Sequence, residues 1–137
     1  MEKHHLLSDV EFEKQFESCL IEPEWFTHEA HLRLAWVHIR QYGIDQAIQN
    51  VCEQLIRFTE FVGAKDKYNK TVTVAGVKAV DHFIRRSQSK SFIEFVEEFP
   101  RLKLNFRQLM EAHYSVNIFK SESAKAEFLQ PDLLPFD

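Results

Sequence analysis

The chain has 137 residues, 45% apolar and 28% charged, with a net charge of −4 and two cysteines. That length is read as one domain, 1–137. The absence of a dense basic block disfavours a nucleic-acid partner, and no apolar run approaches the roughly 18 residues of a membrane span. Thirteen phenylalanines against three glycines and four prolines favour a few long helices around an aromatic core over many short strands.

The first stretch, "MEKHHLLSDVEFEK", is charged and lacks the apolar segment of a secretory leader. Cys19 and Cys52 form no C-x-x-C pair, which points to a reducing, cytoplasmic setting. His4 and His5 are expected to be solvent-exposed on a frayed terminus. Ser8 and Glu11 spell a capping box, and Val10, Phe12, Phe16 and Leu20 follow at helical spacing. Pro23 then blocks continuation and makes "IEPEWF" a loop.

Thr27 can cap the second helix, and Gly43 stands where a left-handed C-terminal residue is wanted. Asp45 can cap the third almost at once, so helices two and three are expected as a tight antiparallel hairpin. Ile48, Val51, Cys52, Leu55, Phe58 and Val62 give the third helix one apolar face, which Gly63 ends. "AKDKYNK" reads as a loop. A fourth helix is expected from Val72 to Arg86; its β-branched start "TVTVAGV" has no partner strand in view.

Ser91 and Glu94 suggest a second capping box, for a short helix that Pro100 stops. Asn105 and Gln108 can cap the next helix, and Ser121 the last, before Pro131. Leu133, Leu134 and Phe136 make the tail too apolar to float free, so it is expected to pack back. The sum is all-α: a compact single-domain bundle of about six helices with a central buried helix near residues 28–41.

That central stretch, "WFTHEAHLRLAWVHIRQYG", carries three histidines. At about 100° per residue, Glu29, Arg33 and Arg40 share one narrow charged strip. His28, His31 and His38 point away from it and are expected to face the interior. His28 and His31, at i and i+3, can bind one ion. His38 lies about 10 Å further along the axis, so it cannot share that ion, and it reads as a hydrogen-bonded core residue. "HEAH" is one residue short of H-E-x-x-H, and Glu29 lies in the charged strip, so this is no zincin. A catalytic zinc needs about three protein ligands, and His113 in "MEAHYS" is the best third candidate.

Three segments together resemble an uncharacterised family of small all-helical bacterial proteins. "EWFTHEAHLRLAWVHIR" resembles its W-x(1,2)-H-x-x-H-L opening, "YNKTVT" its Y-H-x-T-x-T middle, and "HYS", "SESAKA" and "PDL" its C-terminal motifs. The resemblance implies an all-helical fold and one site from His28, His31, Thr71, Thr73, His113 and Tyr114; Tyr68 and Asn69 beside it are further ligand-binding candidates. This sequence departs from it at Asn69, where the family pattern has histidine. Asn is a poor transition-metal ligand, which weighs against a metal there.

Three functions follow from the sequence. The first is a binding domain whose His/Tyr-lined pocket takes a small molecule. The second is a metal-assisted, hydrolase-like enzyme, with a divalent metal on His28, His31 and His113 and a bound water as nucleophile. The third is a structural or protein-interaction domain, with buried histidines as cross-links and a surface for a partner or homodimer.

Overall fold

Side-chain caps open five of the eight α-helices in the computed structural model, which describes residues 1–136. Among the described residues the fold is all-α: eight α-helices and three short 3-10 turns, with no strand. They form two compact units, Met1–Tyr68 and Asn69–Asp137.

The first unit holds a 3-10 turn (Lys3–Leu6), α1 (Asp9–Glu17), a second turn (Pro23–Trp25), α2 (His28–Tyr42), α3 (Ile44–Phe61) and a third turn (Lys65–Lys67). The Ser8–Glu11 capping box forms in both directions, at 3.1 and 2.9 Å. α1 stops before Leu20, and Cys19 takes the left-handed φ of 57° beyond its end. Gly43, at φ 85°, ends α2 and starts α3 in one residue. α3 therefore begins at Ile44, which leaves Asp45 inside the first turn rather than at the cap. Phe12 and Phe16 are fully buried, and the Phe16 ring sits 4.4 Å from Phe26 and 4.9 Å from Phe58. Each such side chain contributes about 1.5–3 kcal/mol by leaving water.

α2 is the central helix, and every residue from Leu32 to Ile39 is buried. Its exposed face is not the one the charge pattern predicts. Glu29 and Arg33 are buried, while His28 and His31 are exposed. The reason lies outside the helix: the first nine residues lie over the Glu29–Arg33 strip and pair with it.

The second unit holds α4 (Lys70–Ile84), α5 (Phe92–Glu98), α6 (Arg101–Leu104), α7 (Phe106–Glu111) and α8 (Glu122–Ala126). α4 begins two residues earlier than expected because the Asn69 side chain caps it, accepting from Val72 N at 3.0 Å. Ser91 caps α5 as expected, but Glu94 returns its bond to Lys90 N instead of closing the box. Asn105 breaks the 101–111 stretch into two short helices, and its amide donates to Gln108 instead of capping. Phe95, Leu102, Val80 and Ala124 are fully buried in this unit's core. The tail does pack back: Leu133 N donates to His113 O at 3.0 Å, and Phe136 stacks on the His113 ring at 4.1 Å. Leu133 and Leu134 nonetheless stay more than half exposed.

Candidate functional site

Thr27 organises the head of α2. Its hydroxyl accepts from Ala30 N at 3.2 Å and donates to the Glu2 carboxylate. Its carbonyl accepts two bonds, from His31 N at 2.9 Å and from His31 Nδ1 at 2.8 Å. A carbonyl only accepts, so Nδ1 carries the proton and Nε2 keeps its lone pair. The His31 ring lies against Phe26, 3.9 Å between centroids, and the residue as a whole is exposed. Packing around the ring lowers the His31 pKa, and His28 adds to the shift against the Thr27 bond. His28 is exposed one turn earlier on the helix.

On the covered side of the same helix lies a polar cluster that sequence reasoning misses. His4 is fully buried, not frayed. Its Nε2 lies 2.7 Å from Glu29 Oε2, and His5 Nε2 lies 2.9 Å from that same oxygen. The two imidazoles pack 4.1 Å apart. Arg33 fastens the segment that carries them. Its Nη1 donates to His4 O at 2.7 Å and lies 3.3 Å from His4 Nδ1; its Nη2 donates to Leu7 O at 2.8 Å and pairs with Asp9 at 2.9 Å. The guanidinium also covers the Phe12 ring at 4.7 Å. Burial lowers the His4 pKa, with the Glu29 bond opposing it. Local spacing gives no sign of this cluster, because its two halves lie about 25 residues apart.

No family model matches the chain, and no curated protein and no solved structure matches it. The remaining candidate residues are therefore read from their own surroundings.

His38 is a buried core residue, as expected, but its partner is an amide: Asn50 Nδ2 donates to Nδ1 at 3.3 Å. Burial lowers its pKa. Tyr68 is half-buried beside Cys52, and burial raises its phenol pKa. The other five lie in the second unit, and each bonds to a backbone group. Asn69 caps α4, and its amide donates to Ile118 O at 2.9 Å. Thr73 donates to Asn69 O at 2.7 Å. Thr71, fully buried, donates to Glu127 O at 2.8 Å and accepts from Leu129 N at 3.0 Å. Tyr114 donates to Leu129 O at 2.8 Å, and burial with Asp132 nearby pushes its pKa up to about 12. His113 Nδ1 donates to Leu134 O at 2.8 Å. Thr71 and Tyr114 thus grip one residue, Leu129, from its N–H and its C=O.

Among the described residues, His4, His5 and Glu29 are the one cluster whose donor atoms stand close enough together to hold a metal ion. His28 and His31 form a second, solvent-facing pair in the same unit. No helix of the described residues is long and apolar enough to cross a membrane.

Proposed function

We propose that this chain is a binding protein that takes a small polar molecule at the head of α2, through His28 and His31. The observation that carries this reading is the Nδ1–H bond from His31 to Thr27 O, 2.8 Å long. It fixes the ring and leaves the Nε2 lone pair of this exposed residue ready to accept a hydrogen bond from an amine, hydroxyl or amide. The half-buried Phe26, packed against His31, supplies an apolar wall beside that acceptor. Small-ligand sites combine such a wall with a few fixed polar groups.

The second unit's motif residues fit an architectural role, since Thr71, Thr73, Tyr114 and His113 donate to backbone carbonyls of their own unit. The test is a ligand-observed NMR screen of small amines, alcohols and amides with chelator present. Ligands of the site lose binding on His31→Ala and keep it on Tyr114→Phe. Compounds that bind the wild type and His31→Ala alike, or a screen with no binder, would overturn the reading.

A further inference from the structure

The covered side of α2 carries a different chemistry. We propose that His4, His5 and Glu29 form a binding site for a first-row divalent transition metal. One ring nitrogen from each histidine and a Glu29 oxygen all lie within 4.8 Å of one another. Neighbouring side chains on a chain usually diverge, yet here His4 and His5 both turn their Nε2 to one carboxylate oxygen, at 2.7 and 2.9 Å. A hydrogen-bonded clasp needs one imidazole; two make a corner.

The donor set selects the ion. Two imidazoles and one carboxylate suit zinc, cobalt or ferrous iron, whereas calcium and magnesium want oxygen donors throughout. Metal–ligand bonds of about 2.0–2.2 Å put tetrahedral ligands roughly 3.3 Å apart, so the corner opens by about half an ångström to admit the ion. Charge favours a dication. Asp9 pairs with Arg33, which leaves the carboxylates of Glu29 and Glu2 at the corner, Glu2 3.5 Å from His4 Nε2. The His4, Glu29 and His5 side chains are 0%, 8% and 10% exposed, so the corner is shielded from bulk water.

Binding costs a tautomer change at both imidazoles, since each Nε2 points its proton at Glu29 Oε2 and must free its lone pair, with the His5 proton moving to its own Nδ1. Without metal, Arg33 faces His4 Nδ1 at 3.3 Å, which leaves the proton on Nε2, toward Glu29. With metal on Nε2 that proton moves to Nδ1, so the 3.3 Å contact opens. Arg33 keeps its shorter bond to His4 O, 2.7 Å, and goes on holding the turn in place. Three protein ligands leave a coordination position for water.

The experiment uses untagged full-length protein, stripped with chelator and titrated with Co(II), then competed with Zn(II). The expected result is a visible d–d absorption that saturates at one Co(II) per chain and is displaced by Zn(II) but not by Mg(II). His5→Ala, at the most exposed ligand, weakens binding by about tenfold or more, an effect on the scale of losing an oriented ligand. Glu29→Gln serves as the second variant, and circular dichroism checks that each is folded. The double variant His28→Ala/His31→Ala binds as the wild type. No Co(II) spectrum, unchanged affinity in folded His5→Ala or Glu29→Gln, or loss of binding in the His28/His31 variant instead would overturn the proposal. The small-molecule reading is independent of each of these results, because its screen runs in chelator.

Discussion

His4 and Glu29 stand 25 residues apart in sequence, yet the imidazole Nε2 of one lies 2.7 Å from the carboxylate of the other. This contact turns what looks like a loose terminus into part of the core, and it reverses the first turns of α2: Glu29 and Arg33 go inside and the His28/His31 pair goes outside, while Arg40 stays exposed at the far end of the strip. Several outcomes depend on it.

Arg33 is the fastener of the first unit, so its loss is expected to be costly. Arg33→Met keeps the apolar stem but leaves His4 O, Leu7 O and the nearby carboxylates without their cation. The expected loss is about 3 kcal/mol, the scale of breaking a buried charge network from one side. Asp9→Ala, whose side chain is half exposed, is expected to cost well under about 1 kcal/mol. Urea unfolding of the two variants compares them; equal losses would place Arg33 in a surface ion pair instead.

Asn69 uses both ends of its amide, one to cap α4 and one to hold Ile118 O. Asn69→His cannot do both in the same geometry, so a loss of about 1 kcal/mol is expected in thermal or urea unfolding. Asn69→Asp keeps the acceptor and loses only the bond to Ile118, and it should fall between the two.

Thr71 and Tyr114 hold the same residue, Leu129, and so should not act independently. Thr71→Val is expected to cost about 1–3 kcal/mol and Tyr114→Phe about 1 kcal/mol. The double variant should cost less than the sum by at least about 0.5 kcal/mol, because the second loss strikes an already loosened segment. Strict additivity in a double-mutant cycle would separate the two grips.

Acid should loosen the first unit before its carboxylates titrate. His4, His31 and His38 all have pKa values below the ordinary 6.5, His4 and His38 chiefly through burial and His31 chiefly through the packing around its ring. Above pH 6.5 the folded and unfolded chains both hold these imidazoles neutral, and no stability depends on them. As pH falls below 6.5 the unfolded chain takes up protons that the folded one refuses, so stability drops until the folded imidazoles titrate in turn. The urea midpoint measured from pH 7.5 down to 5 should therefore fall, and fall less in His38→Gln. An equal slope in that variant would remove His38 from the cause.

The sequence made parts of this molecule legible. Ser8, Thr27, Ser91 and Ser121 announce their helices because capping is a local bond between neighbours three residues apart. The central helix near 28–41 was readable because its apolar residues run almost all round it. Which polar residues it buries was not readable. A helical wheel assigns Glu29 and Arg33 to water by type, and only a segment from elsewhere in the chain can reverse that. His4 and His5 were hidden for the same reason, since no local pattern names a partner about 25 residues away. Asn105 marks the start of α7 as the sequence suggests, but its amide bonds to Gln108 instead of the helix backbone, and the one-turn α6 before it has no side-chain cap to announce it.

The most direct test is the protonation pattern of the histidine rings. Long-range nitrogen–proton NMR of the chelated, metal-free protein at neutral pH reads each tautomer. The expected result is His4 held as the Nε2–H form with a protected, slowly exchanging ring proton, which is lost in Glu29→Gln. His31 should appear as the Nδ1–H form. A His4 ring with averaged, rapidly exchanging tautomers that Glu29→Gln leaves unchanged would contradict the docking of the N-terminal turn onto α2.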